Sequence, residues 1–500
     1  MLHGGRLGNV REDVAKFTSS RKDDARLAAA VLAINKAHVA MLMEQKIVQW
    51  QDGAKILSAL QKLSAQKLDS AAEDVHMAVE EAVLMETGPE VGGNLHVAKS
   101  RNDQVTTAIR MQLRNELLNI MAGVLDMQHS LIETAKKHTK TVILEYTHLQ
   151  PAQPVTFAHY LLSQADALGR DLERLLSGYQ RVNLCPLGAC AMATTSFPIN
   201  RKRTAELLGF SAVLENSIDA VGSRDFILET QAALALLAVN LSRLAEDLII
   251  WSSAEFGTVE LPDEFTSTSS IMTQKKNPEV LEVIRARASY ALGDFVAATA
   301  AVKSLPTTYN LDFQEVTPKL WASTDNLAAS LSIFAQLVPN LKVSGNVEEK
   351  ATAGFVGATE LANMLVRKYN VAFRTSHKVV GALVKSLIDS KKTLLDATPE
   401  MLQKVALEAA GIQLAVQNGD IVSCTNLRKL IETYKVLGGP SPAEVERAIA
   451  DRKQTMTQTK TTITNLKGKL SNAEKLLNQT VHDYSLLSTA SKSARLKNSN

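Results

Sequence analysis

Apolar residues recur along this chain at alternating spacings of three and four. Leu113, Leu117, Ile120, Val124, Met127 and Leu131 form one stripe, and Leu234, Leu237, Leu241, Leu244, Leu248 and Trp251 form a second. A third runs through Leu281, Ile284, Ala288, Ala291, Phe295, Ala298, Val302 and Leu305. Each predicts a helix of about five turns or more whose apolar seam packs at a shallow angle on a partner. Such helices between about 105 and 340 predict an elongated bundle and an all-α fold. Seams of this length also predict association between copies of the chain, although one chain could satisfy them itself.

Glycine and proline punctuate the pattern. Thr87-Gly88-Pro89 and Val91-Gly92-Gly93-Asn94 close a run of shorter helices, and Gly354 and Gly357 interrupt the chain again. Gly438-Gly439-Pro440-Ser441-Pro442 is a turn before a fresh helix start. Met456, Ile463, Leu470, Leu477 and Tyr484 then keep a spacing of seven, which predicts a last amphipathic helix. These signals divide the chain into an N-terminal helical domain (1–102), a central long-helix domain (103–355) and a C-terminal helical domain (356–500).

Composition narrows the class. At 500 residues, 45% hydrophobic and 21% charged, the chain is globular and larger than one ordinary domain. Lys and Arg number 55 against 52 Asp and Glu, too even a balance for coating nucleic acid or an anionic membrane. Cys185, Cys190 and Cys424 form no CxxC or Cys/His cluster, so neither a disulfide framework nor a zinc site is expected. The first residues carry no secretory signal, and the longest apolar run, Ala232 to Val239, is under half of a membrane span. A soluble, cytoplasmic protein is expected.

Four polar segments stand among the helices. Thr266 to Glu279 crowds hydroxyls ahead of Lys275, Lys276, Asn277 and Pro278. Asn277 suits an N-cap and Pro278 the first helical position, which would set free N–H groups beside two lysines as a seat for a carboxylate or phosphate. An ordinary capped loop has the same composition. Ala98 to Thr106 contains Ser100-Arg101-Asn102-Asp103-Gln104, and Tyr146 to Pro154 contains His148, either a donor to a ligand carboxylate or a structural loop histidine. Tyr309 to Glu315 is the fourth.

In this order the set resembles the fumarase/aspartase superfamily and, within it, the argininosuccinate lyase branch. The superfamily core is Ser269-Ser270-x-Met272-x-x-Lys275-x-Asn277. Gln274 to Pro278, Ser100 to Gln104 and Tyr309-Asn310 carry the branch. Supporting matches are Leu2 to Leu7, Phe17 to Ser20, Arg224-Asp225-Phe226 and Phe373 to Gly381.

The resemblance implies a three-domain, nearly all-α subunit whose central helices form a twenty-helix core in a homotetramer, with active sites shared between subunits. It implies reversible elimination of L-argininosuccinate to L-arginine and fumarate in arginine biosynthesis, a small-molecule substrate, no nucleic acid or membrane partner, and no cofactor or metal. Ser269 would move the proton next to the carboxylate, and His148 would be the partner acid/base or an orienting group. Ser20, Arg101, Asn102, Thr147, Lys275, Asn277, Tyr309 and Gln314 would bind substrate. Thr268 and Thr273 stand where the family has Gly and Pro, and Thr317 stands where it often has a substrate-contacting Lys, with Lys319 nearby. A sister lyase acting on another succinyl adduct of the adenylosuccinate type, or a catalytically silent structural relative, would share the fold.

Overall fold

A computed structural model describes residues 11–64, 72–344 and 347–497, with the side chains of the last helix described as far as Leu486. The Gly-Gly-Arg start at 4–6 lies outside the described residues. Five long helices, Arg101–Lys137, Phe157–Val182, Asp225–Ser252, Glu279–Val302 and Val316–Leu337, form the body. Every member of the first two sequence stripes is buried, and in the third Leu281, Ile284, Ala288, Ala291 and Ala298 are. A buried leucine contributes about 1.5–3 kcal/mol, so a seam of them fixes how each helix is rotated. Shorter helices at Ala28–Glu44, Trp50–Lys62 and Val75–Thr87 join the same core. The stretch Arg21–Glu44 is long and apolar enough to cross a membrane, but 78% of its apolar window is buried inside the protein.

Helix Glu279–Val302 has a second seam. On the face opposite the core, Val283, Ala286, Tyr290, Gly293, Ala297 and Ala300 again alternate by four and three, and all are exposed.

The segment 356–500 is split by its packing. Residues Leu361 to Cys424 form a separate cluster, whereas the last helix, Pro442–Lys497, returns to the main core. Its heptad seam needs a long apolar partner, which Trp50–Lys62 and Arg101–Lys137 supply. Ile463 and Leu477 are buried there, and Met456, Leu470 and Tyr484 are partly buried.

The strands are few and paired in twos. The longest pair is an antiparallel hairpin, Val142–Thr147 with Gln150–Thr156, bulged between Glu145 and Tyr146. It projects beyond the end of the Arg101–Lys137 helix and packs on the C-terminal unit through Leu144, Ala351, Val356 and Leu427.

Candidate active site

At one end of the bundle, Ser20, Arg101, Tyr309 and Gln314 line a cavity of about 390 Å³. Helix Arg101–Lys137 begins there with a capping box in which Ser100 and Asp103 satisfy each other's backbone. Arg101 and Asn102 therefore sit in the first helical turn rather than in a loop ahead of it. Arg101 Nη1 meets Asp74 Oδ1 at 2.7 Å, and Asp74 also caps its own helix by accepting from Met77 N at 2.7 Å. Gln314 Nε2 donates to the Thr18 carbonyl at 2.9 Å, and Asn102 Nδ2 to the Ala191 carbonyl at 3.2 Å. Ser20 Oγ donates to Asp24. Burial pushes the Asp24 carboxyl up to about 6, with the charges of Asp74 and Asp23 adding and the Ser20 bond and Arg101 opposing.

Asp24 and Asp74 belong to this cavity and were not among the expected residues. Asp24 lies one helical turn after Ser20, and Asp74 is a capping aspartate before an apolar run, so both carried a local signal. Thr317, buried, also lines the cavity. Lys319 is half-exposed and lies 4.0 Å from Asp294, so it does not stand in for a lysine at 317.

Beneath the first turn, the fully buried Asp103 carboxylate accepts from the backbone N–H of Ser100, Gly188 and Cys190 at 3.0, 2.9 and 2.8 Å. It thereby ties the Ala98–Asn102 segment to the 188–191 loop that receives the Asn102 amide. Burial pushes Asp103 up to about 6, and it pulls the buried Lys99 alongside down to about 7. Ala98 and Cys190 are both left-handed, at φ 58° and 54°, a strain this tie helps to hold.

Thr147 and His148 are exposed at the hairpin tip, where Thr147 pairs with Gln150. The two-residue turn sets His148 and Leu149 at φ 55° and 57°, the left-handed pair a type I′ turn demands. Neither is glycine or asparagine, and such backbone costs about 1–3 kcal/mol per residue.

The Ser269 loop is closed by a short strand pair, with Ser267 opposite Asn277 and Thr268 opposite Lys276. Asn277 is therefore extended backbone and not the N-cap. Pro278 occupies that position without a side-chain cap, and the helix starts at Glu279. The strand pair holds Asn277 by its backbone, which takes it out of capping geometry. Thr268 lies outside the left-handed region, so it carries no glycine-type strain. Ser269 Oγ accepts from the N–H of Ile271 and Met272 at 3.3 and 3.1 Å. Donors so placed stabilise negative charge on that oxygen. Lys275 is exposed beside it, while Lys276 is taken by Asp263 at 2.6 Å.

These groups do not meet within one chain. Thr308 packs against Gly222, just ahead of helix Asp225–Ser252, whereas Lys276 pairs with Asp263, just past that helix's other end. Twenty-eight residues make that helix roughly 42 Å long. Ser20, Arg101, Asn102, Tyr309 and Gln314 thus stand at one end, and Ser269, Lys275 and Asn277 at the other. Thr147 and His148 share the second end, where the Tyr146 ring packs at a tilt against Phe256, centroids 5.1 Å apart. Among the described residues no group of His, Cys, Asp and Glu is placed to hold a metal ion.

Comparison with known proteins gives this arrangement its context. A family model described as Lyase matches residues 8–293, and one described as Argininosuccinate lyase C-terminal matches 355–432. Argininosuccinate lyase from Methanocaldococcus jannaschii is 44% identical over 90% of this chain and 93% of its own. The enzyme of that name from Methanosarcina barkeri is 40% identical over 97% and 99%. The crystal structure of EDDS lyase in complex with formate superposes with a TM-score of 0.89 at 30% identity, covering 93% of each chain. A class II fumarase from Schistosoma mansoni shares the fold, with a TM-score of 0.68 at 16% identity over 81% of this chain and 90% of that one. The branch read from the Ser100 to Gln104 and Gln274 to Pro278 motifs is the one that the two enzymes named argininosuccinate lyase occupy over 90% and 97% of this chain, and the chain belongs to the argininosuccinate lyase family.

Proposed function

We propose that the protein catalyses the reversible elimination of L-argininosuccinate to L-arginine and fumarate, as a cytoplasmic step of arginine biosynthesis, in active sites shared between subunits of a homotetramer. The observation that carries the shared site is the separation of its parts by a rigid helix of 28 residues. A site that uses both ends must take them from different copies. The exposed seam on Glu279–Val302 offers the surface through which copies would pack, its Ala and Gly letting a partner helix approach closely. Buried free thiols at Cys185, Cys190 and Cys424 suit a reducing compartment.

In this reading Ser269 Oγ removes a proton from the succinyl carbon next to a carboxylate, helped by the two N–H groups that would hold the alkoxide. Lys275 and Asn277 bind the carboxylate on which negative charge builds. The electron pair forms the fumarate double bond as the C–N bond breaks, and the guanidino nitrogen leaves with a proton. His148 serves in proton transfer at the exposed hairpin tip, with Thr147 beside it. Ser20, Arg101, Asn102, Tyr309 and Gln314 hold the other half of the substrate.

The test is fumarate release from argininosuccinate, with adenylosuccinate as the competing substrate. Ser269→Ala is expected to lower kcat by about 10²–10⁴-fold with little change in Tm. Activity within a few-fold of the parent overturns the assignment of Ser269. His148→Asn should lower kcat more than it raises KM, and a change in KM alone would make His148 an orienting group.

A further inference from the structure

The cavity around Ser20 and Tyr309 holds an uneven set of charges. Asp23, Asp24, Glu73 and Asp74 line it against two cations, Arg101 and Arg224. Arg101 is committed to Asp74 at 2.7 Å. Arg224 is only 2% exposed, and among the described residues no carboxylate pairs with it: the titratable groups acting on it are the Tyr309 phenol and the cation of Arg110. Its Nη1 donates to the carbonyls of Val221 and Ser223 at 3.0 and 2.8 Å, and its Cζ lies 4.1 Å from the centre of the Phe313 ring. Among the described residues, Nε and Nη2 are buried with no acceptor. The Nη1 bonds explain a structural role in closing the turn before Asp225. They leave the other two donors, and the buried charge itself, without a counterpart.

A guanidinium held out of water without an anion is strongly unfavourable, and burial already pulls Arg224 down to about 9. The charge becomes favourable when a carboxylate enters the cavity that Arg224 lines, because a guanidinium held out of bulk water is poorly screened and attracts an anion strongly. The acidic side of the cavity, with Asp24 in it, suits a cationic group on the same ligand. A ligand bearing both charges on neighbouring atoms is an α-amino acid. Thr317 supplies no charge of its own here, and with Arg101 paired to Asp74, Arg224 is the remaining cation among the described residues of the lining.

We propose that Arg224 is the counter-ion for the α-carboxylate of the arginine half of the substrate. The inference rests on the lyase reading above and extends it to the recognition of one ligand group. A purely structural Arg224 would be indifferent to the presence of that carboxylate.

The experiment compares L-arginine with L-argininamide, which differ only at the carboxylate, by titration calorimetry on the full-length protein. The parent should bind arginine at least about tenfold more tightly. Arg224→Gln should narrow that ratio to about threefold or less, mainly by weakening arginine, and Arg224→Lys should keep most of it. Equal binding of the two ligands by the parent, or full discrimination in Arg224→Gln, overturns the proposal. If Arg224→Gln does not fold, the parent's ratio and that of Arg224→Lys still decide it: no preference for arginine in either removes the counter-ion. Fumarate release by the parent is measured alongside. Release without discrimination overturns the Arg224 assignment alone, whereas no release from argininosuccinate overturns the activity and this inference together.

Discussion

If each site combines opposite ends of different subunits, two inactive variants should rescue each other. Ser269→Ala disables one end and Asn102→Asp the other, where it replaces the amide donor by a repelling carboxylate. Both side chains lie outside the buried core, so both variants should fold. Each alone should lose about 10²-fold or more in kcat. The helix between them is roughly 42 Å long, so no single chain can place both residues on one substrate. In oligomers refolded from an equal mixture, about one quarter of sites should then receive both intact segments. Fumarate release should recover to about 25% of the parent, far above either variant alone. Sedimentation of the same samples reports whether mixed oligomers formed. Mixed oligomers with no recovered activity, or a fully active monomer of the parent, would refute the shared site.

Three other outcomes follow from the geometry. Asp24, held up to about 6 among Ser20, Asp23, Asp74 and Arg101, should make kcat/KM fall as pH drops through about 6. Because its folded value is raised, its ionisation opposes folding above that pH and the penalty fades toward 4. Asp24→Asn should therefore raise Tm at pH 8 and lose the advantage near pH 4, and a Tm difference independent of pH would count against this. Asp103→Asn removes the charged acceptor of three N–H bonds beside buried Lys99, and urea unfolding should show a loss of about 3–5 kcal/mol. Adding Lys99→Met should restore part of it, whereas strictly additive losses would mean the two charges do not interact. Thr273 is the second residue of a turn closed by Lys275 N–H to the Met272 carbonyl at 3.1 Å, a position that suits proline. Thr273→Pro should leave the fold intact and stabilise it by about 0.4–1 kcal/mol, and a fall in Tm would show that the turn has another backbone geometry.

What the sequence could say depended on how locally each feature is encoded. Leu113 to Leu131 and Leu234 to Trp251 were legible because a leucine every three or four residues is both the signal and the cause of burial. The outer seam of Glu279–Val302 was not, since Ala286, Gly293, Ala297 and Ala300 look like filler until the inner face is seen to be occupied. Where the last helix packs was not legible, because a heptad names a seam but not its partner. Asn277 followed by proline has the local form of a cap, yet its pairing with Ser267, ten residues back, decides its backbone. The polar segments stood out for the opposite reason: no packing rule asks for Ser100-Arg101-Asn102 or Tyr309-Asn310 at those breaks. Arg224 was visible only as part of a motif, because nothing in Arg-Asp-Phe says that the guanidinium will be buried without a carboxylate. That fact exists only once Phe313, Tyr309 and Arg110 have been brought around it. The same holds for the site as a whole. Order along the chain cannot tell whether segments more than a hundred residues apart close on one substrate, but rigid helices between them can, and here they place the Ser269 loop and Asn102 at opposite ends. Chemistry that needs both is therefore a property of the assembly, and the bare seam on Glu279–Val302 is where that assembly would form.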